Sequence, residues 1–388
     1  MPSRIAMIST YPPTQCGIAT FARSMSNAMK NFGQQVDLIR ISGNGSAKAV
    51  HPASKNHFGA DGLLENVGTL NNYDAVIIQH EFGIYGGPDG DEVLEILNGI
   101  KVPVVSVIHT VITTPTNGQR RVMQGLLDRS DASVALSHSA ADAISKNYVV
   151  DDSRLKVIPH GSPDYGQFSR PIGFNLRPRI LTWGLLSEGK GIEWGITALA
   201  LLQDVDPLPD YYIVGQTHPK VVERDGFAYR EKLEKLAIDL NVRERIHFID
   251  AYLDTEALNR VINSADFYLI PYDNDVQVTS GVLVEAIAAG GPVIATRFPH
   301  AVELLGDGTG ALVNQKDPES IASAMRLMIR NSAERARMRE LTVRKGPSFH
   351  WSQIGISMNS LSHSLTRRRN QFPSIDGIYF AELQRESA

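Results

Sequence analysis

The 388-residue sequence predicts an α/β protein with two Rossmann-like, doubly wound parallel-sheet domains facing each other across a cleft. Three observations carry this prediction. Short continuous apolar runs alternate with longer helical patterns, as buried parallel strands do when helices cover both faces of their sheet. A stretch crowded with Pro and Gly splits the series into two halves of similar size. Both halves carry Gly-rich turns between a strand and the following helix, where ligands of open α/β sheets bind.

The elements follow in order. Ile5 to Ile8 forms a first strand, a turn runs from Pro12 to Gly17, and a helix covers about Ala19 to Phe32. Val36 to Ile41, Ala75 to Ile78, Val102 to Ile108, Ala132 to Leu136 and Leu155 to Ile158 continue the strands. His160 to Arg179 holds Pro163, Gly166, Pro171, Gly173 and Pro178 without periodicity and reads as a linker. The second series takes in strands at Ile180 to Trp183, Tyr211 to Val214, Ile246 to Ile249, Asp266 to Ile270 and Pro292 to Ala295. One helix from Pro318 to about Leu341 and a segment from Trp351 to Thr366 close the pattern, and a polar tail follows.

Bulk properties exclude several classes. Hydrophobic residues make up 43% and charged residues 21%, which fits a chain with ample core. The net charge of −4 argues against a nucleic-acid partner. The single cysteine, Cys16, forms neither an internal disulfide nor a Cys-based zinc site, and a reducing cytoplasm is the expected compartment. No apolar run is long enough to span a bilayer, and Arg4 to Ser9 reads as a strand rather than as a signal peptide.

Three turns draw the chemistry. In the first, Thr10 to Thr20, Gly17 allows close backbone approach to the amides and positive dipole end of the next helix; a tight turn alone explains it equally well. In the second, Gly184 to Gly191, Lys190 stands at a helix start where an ammonium meets a diphosphate; a solvated loop lysine is the plain alternative. The third is the most informative. Ser280 caps a helix that begins near Gly281 and ends at Gly290 and Gly291. Amides at Ser280, Gly281 and Val282 suit phosphate, and Glu285, in apolar first turns, needs a hydrogen-bonding partner that two ribose hydroxyls would supply.

The order of these turns resembles family 4 of the retaining glycosyltransferases, whose fold is called GT-B, from Ile5 to about Leu365. That family opens its last binding helix with an acidic residue, seven residues and a Glu; here the pair is Gln277 and Glu285. Its Gly-Arg-Leu…Lys-Gly turn is matched by Gly184, Leu185, Leu186, Lys190 and Gly191, with Leu185 in place of the arginine. His109 matches the histidine after a first-domain strand, and Glu303 the acidic residue after Pro292 to Ala295. Phe349 to Trp351 resembles the aromatic run before a closing helix that crosses back onto the first domain. The segments at 80–87, 158–161 and 214–219, with the Gln277, Ser280 and Gly281 variant, resemble one subgroup of the family.

The resemblance implies an acceptor-side domain at 1–165, a nucleotide-sugar-binding domain at 166–362 and a segment at 363–388 that returns to the first domain. It implies a retaining hexosyltransferase that needs no cofactor and takes a nucleotide sugar as co-substrate, GDP-mannose first and UDP-glucose second. The acceptor would be a hydroxyl of a saccharide, other glycan or glycolipid. The implied catalytic residues are His109, Lys190 and Gln277. The donor would be held by Gly17, Gly184, Lys190, Ser280, Gly281, Val282 and Glu285, and Glu81, Phe82 and Tyr85 would shape the acceptor side. A nucleotide-sugar epimerase or hydrolase of the same fold, and a non-catalytic nucleotide-sugar-binding protein, are the alternatives.

Metal is not expected. His80, His109, His160 and His218 lie at or after strand ends, but no pair has helical metal-site spacing and no thiol joins them. Asp204/Asp206 and Asp273/Asp275 have the Asp-x-Asp look of metal-dependent transferases of another fold, a pattern common in loops. The basic stretch Arg335 to Lys345 reads as a solvated helix face, with weak contact to an anionic membrane surface as the alternative.

Overall fold

The computed structural model describes residues 3–41, 67–166 and 177–371, with side chains as far as residue 367. The middle of the expected linker, 167–176, and the tail from 372 lie outside the described residues. The chain divides into two compact units, Met1–Pro159 with Ser352–Ala388, and His160–Trp351.

The first unit runs β1 (Arg4–Ser9), α1 (Gly17–Asn31), β2 (Gln35–Arg40), β3 (Ala75–His80), α2 (Glu92–Gly99), β4 (Val104–Ile108), α3 (Asn117–Arg129), β5 (Ala132–Ala135), α4 (His138–Asn147) and β6 (Leu155–Val157). Its sheet order is β2-β1-β3-β4-β5-β6, with every pair parallel. The order reverses direction beside β1, so the turns after β1 and β3 open at the switch point. All six residues of β3 are buried, as the continuous apolar run requires of a strand covered on both faces.

The second unit runs β7 (Arg179–Trp183), α5 (Ile192–Ala200), β8 (Asp210–Val214), α6 (Pro219–Asp225), α7 (Ala228–Asp239), β9 (Ile246–Ile249), α8 (Thr255–Ser264), β10 (Phe267–Ile270), α9 (Gly281–Ala288), β11 (Val293–Thr296), α10 (Pro299–Leu305), β12 (Ala311–Val313), α11 (Pro318–Arg330) and α12 (Ser332–Lys345). Its sheet is parallel in the order β12-β11-β10-β7-β8-β9. Two apolar layers cover it. Ile180, Ile196, Leu199, Ile213, Leu233, Leu269 and Met325 pack together on one side, and Leu181, Tyr268, Leu283, Ile287 and Phe298 on the other.

Caps set several helix starts. Thr116 and Gln119 form a reciprocal capping box on α3, and Ser137, Asp254, Ser280 and Asp317 each accept a first-turn amide. The single helix expected from Pro318 to Leu341 is two helices. Asn331 breaks it by accepting the Glu334 amide at 3.0 Å and so caps α12. Strand β12 had no counterpart in the sequence reading: it is three residues long and only partly buried.

The last helix, α13 (Trp351–Gln371), crosses from one unit to the other at its first turn. The sequence reading placed the first break after 165 and the return at 363. Residues 160–166 instead hold to the second unit, because Ser162 pairs in parallel with His350 and donates its amide to Phe349 O at 2.8 Å. The return is complete by 352: a Cβ on Gly355 would lie 2.9 Å from Ala28, and Asn359 donates to Met29 O at 3.2 Å.

Candidate functional site

In the second unit, the turns that follow β7, β8 and β10 are laced together by their backbones. Gly184 donates to Val214 O at 3.0 Å, Leu186 to Gln216 O at 2.9 Å, and His218 to Leu186 O at 2.9 Å. Gly215 has φ +150°, and a Cβ there would fall 1.9 Å from Gly184 O, so only glycine lets the turns approach this closely. Gly191, at φ +61°, caps α5, and a Cβ on it would meet Pro271 O at 2.0 Å. Asp273 donates to Gly189 O at 3.2 Å, which draws in the loop before α9. On its far side Gly184 abuts Val282, with 3.3 Å between a built Cβ and Cγ2. Gly184, Lys190, Gln277, Ser280, Gly281, Val282 and Glu285 therefore stand on adjoining turns of one unit.

The start of α9 differs from expectation in one donor. Ser280 Oγ accepts from Leu283 N–H at 3.2 Å, but the Ser280 amide itself donates to His300 Nδ1 at 2.8 Å. That amide is therefore not open to phosphate, and Gly281 and Val282 remain as the first-turn donors beyond the helix ladder. Burial drives His300 down to about 4, reinforced by His160 and opposed by Glu303, so its ring is neutral and Nδ1 accepts. His160, also lowered to about 4 by burial, bonds Gly161 O through Nδ1 at 2.7 Å and presses its ring edge on Gly281.

Lys190 is half-buried, with its ammonium 4.1 Å from the centre of the Tyr272 ring. Tyr272 stacks on Phe298 at 5.2 Å, so the cation rests on a packed aromatic pair that the sequence reading missed. The imidazole of His218 is lowered by burial and then by Lys220 and Lys190.

Glu285 has a protein partner 102 residues away: Trp183 Nε1 donates to its Oε2 at 2.9 Å. Among the described residues its Oε1 has no hydrogen-bond partner. Burial raises this carboxyl to about 7, and the indole bond pulls against that rise. Glu285 in turn adds to the burial that raises the buried Tyr165 hydroxyl. Neither Trp183 nor Tyr165 was anticipated.

Gln277 spends its amide locally. Its Nε2 donates to Thr279 O and its Oε1 accepts from Asn274 at 3.5 Å, while its backbone pairs with Asn274 and His300. A carboxylate there would lose the donor and set its charge against the Thr279 carbonyl. Gln277→Glu is therefore expected to lower turnover more than Gln277→Ala, by about threefold to tenfold, as a lost and repelled contact of about 1–1.5 kcal/mol implies. Steady-state rates of the two variants check this; the reverse order would mean that the side chain leaves this loop to meet ligand.

In the first unit, α1 opens at Gly17, where a built Cβ would meet no heavy atom of the described residues within 4 Å. Its cap is Cys16, whose Sγ accepts from Ala19 N–H at 3.3 Å and lies 3.3 Å from Thr10 Oγ1. His109 follows β4; its Nε2 lies 2.8 Å from Gln79 Oε1, and its ring meets Phe21 edge-on at 4.7 Å. The expected acceptor-side residues sit differently from one another. Glu81 accepts the Gly83 amide at 2.9 Å, whereas Phe82 and Tyr85 are buried and Tyr85 donates to Gln79 O at 2.7 Å. The two rings flank His80, which is fully buried, lowered to about 4 by that burial, and without a hydrogen-bond partner at either nitrogen among the described residues.

One aspartate of each Asp-x-Asp pair has a structural partner. Asp204 pairs with Arg326 at 2.9 Å and Arg330 at 2.7 Å, and Asp273 accepts from Trp194 Nε1 at 3.0 Å. Among the described residues, no group of three or more His, Cys, Asp and Glu is placed to hold a metal ion. In the basic stretch, Arg335 is buried against Met328 O and Ile329 O, while Arg337, Arg344 and Lys345 pair with Glu334, Glu340 and Asp307. Among the described residues, no helix is long and apolar enough to cross a membrane.

Two family profiles match the chain: Glycosyltransferase Family 4 over residues 16–163 and Glycosyl transferases group 1 over residues 177–331. Together they take in most of it, and the chain belongs to the family 4, group 1 glycosyltransferases. A D-inositol 3-phosphate glycosyltransferase from Corynebacterium glutamicum is 26% identical over 294 residues, 70% of this chain and 68% of the relative. A phosphatidyl-myo-inositol mannosyltransferase from Propionibacterium freudenreichii is 26% identical over 65% of this chain and 62% of its own length. Among solved structures, sucrose-phosphate synthase from Thermosynechococcus elongatus matches with a TM-score of 0.72 at 19% identity, over 94% of this chain and all of that one. Anabaena HepE in complex with UDP matches with a TM-score of 0.73 at 16% identity, over 93% of this chain and 100% of its own. The fold is GT-B, with a Rossmann-like parallel sheet in each unit.

Proposed function

We propose that this glycosyltransferase moves a hexose, with retention and without a metal ion, from a nucleotide diphosphate sugar to a hydroxyl of a saccharide, glycan or glycolipid. The observation that carries the proposal is Oε1 of Glu285, without a hydrogen-bond partner among the described residues, on the same adjoining turns as Lys190 and the Gly281 and Val282 amides. Those groups match the two polar ends of a nucleoside diphosphate, its ribose diol and its phosphates. GDP-mannose is the first donor to test, on the strength of the mannosyltransferase relative. UDP-glucose is the second, since HepE has been solved with UDP and with UDP-glucose.

In this reading, the departing phosphate takes the acceptor proton on the face from which it leaves. The protein stabilises the growing negative charge with Lys190 and the α9 amides and supplies no nucleophile. Glu285 holds ribose in both ground and transition states. Gln277 shapes the loop beside those amides; within the first unit, His109, Gly17 and Glu81 are the residues we propose to meet substrate. Phe82 and Tyr85 support that side from within the core.

A thermal-shift panel of nucleotide sugars tests the donor, because a ligand that binds only the folded state raises the melting point. Transfer is then assayed against saccharides and D-inositol 3-phosphate, the compound in the relatives' name, with the anomer read by NMR. Turnover is expected to persist in EDTA. Complete loss on chelation, restored by manganese or magnesium, would overturn the metal-free assignment. Steady nucleotide release without any acceptor would turn the reading to a hydrolase or epimerase, and tight binding without turnover to a binding protein.

A further inference from the structure

We infer that Trp183 is a positioning residue for the donor: its indole N–H clamps one oxygen of Glu285 and thereby aims the other at the ribose diol. The inference rests on the reading of Glu285 as the ribose contact and adds to it a residue from a different strand.

The geometry follows from the strand end. Trp183 is the last residue of β7, paired with Val214 of β8, and only 4% exposed. Its ring meets Tyr268 edge-on at 5.3 Å with an interplanar angle of 77°, which fixes the indole plane. Gly184 follows at once and turns the backbone against Val282. The indole thus lies beneath the first turns of α9 and reaches Glu285 Oε2 at 2.9 Å.

The chemistry makes the contact directional. An indole nitrogen donates and has no acceptor capacity, so the bond exists only while Oε2 accepts. With one lone pair of Oε2 taken by the indole, Oε1 is the oxygen left for the ligand. A carboxylate with one oxygen held keeps a single rotamer and presents one acceptor edge. Without the clamp it would rotate and lose part of its preorganised affinity. A phenyl ring at 183 would keep most of the packing and remove only this function.

The test measures the preference for an intact ribose. Dissociation constants of UDP and GDP are compared with those of their 2′,3′-dideoxy analogues by calorimetry, for the wild type, Trp183→Phe, Glu285→Gln and the double variant. Wild type should prefer the ribonucleotide by at least about tenfold, the value of one charge-assisted hydrogen bond. Trp183→Phe should shrink that preference several-fold, and adding Trp183→Phe to Glu285→Gln should change it no further. Loss of the preference in Glu285→Gln with full retention in Trp183→Phe would overturn the role of Trp183 and leave the ribose reading standing. A wild type without any preference would overturn both. Should Trp183→Phe fail to fold, the indole N–H resonances of the native chain decide. It has three tryptophans, and the signal displaced by Glu285→Gln is that of Trp183. That signal should move on adding UDP or GDP and stay in place on adding the dideoxy forms; equal movement with both overturns the proposal.

Discussion

Lys190→Ala is expected to lower kcat by about 10²–10³-fold, the usual cost of removing one preorganised donor aimed at developing negative charge. With Leu185 where the family carries an arginine, Lys190 is the cation that the 184–191 turn retains. In the proposed mechanism its contact strengthens as the diphosphate leaves, so the loss should fall on kcat more than on donor KM. The fold should hardly notice. The ammonium rests on Tyr272, a contact worth about 0.5–1 kcal/mol at a partly exposed site, so the melting point should move by only a few degrees. Wild-type kcat at saturating donor would remove Lys190 from the chemistry.

Glu285→Gln should separate function from stability. Losing a charged acceptor for ribose should raise donor KM by roughly 10–100-fold, with kcat within about threefold. The folded protein holds this carboxyl at about 7, above its value in an unfolded chain. For a group raised in this way, the stability it contributes is present at low pH and is lost as pH climbs through 7. Wild type should therefore melt below Glu285→Gln at pH 8, by on the order of 3 kcal/mol, and match it near pH 4.5. Donor affinity should run oppositely, falling as pH drops below about 7 and the carboxylate takes a proton. Melting curves and donor titrations at pH 5 and pH 8 check both. A pH-independent donor affinity would mean that the Glu285 charge does not face the ligand.

The parts of the fold that were legible are those whose physics is local. Buried parallel strands must be unbroken apolar runs, so Ala75 to Ile78 and Pro292 to Ala295 declare themselves. Strand β12 has three residues and only Val313 of them is buried, too few for such a signal. The break at Asn331 hides because α11 and α12 follow each other without a turn. At the candidate site, the turns were readable from glycine, lysine and a capping serine, whereas the partners were not. Trp183 reaches Glu285 across 102 residues, and His300 takes the Ser280 amide across twenty. Only the assembled sheet brings such pairs together. Phe82 and Tyr85, which the resemblance implied for the acceptor side, fill the space around His80, a placement that only the folded unit reveals.

The path of α13 has a consequence for how the molecule is made. The second unit is one uninterrupted stretch, 160–351, and can complete its sheet as it leaves the ribosome. The first unit begins earlier but finishes later, because the face of α1 at Ala28 and Met29 is covered by Gly355 and Asn359 from the far end of the chain. The domain synthesised first is thus sealed last. Until then its α1 seam stays open, and a nascent chain stalled before residue 352 would carry one finished domain and one unsealed one.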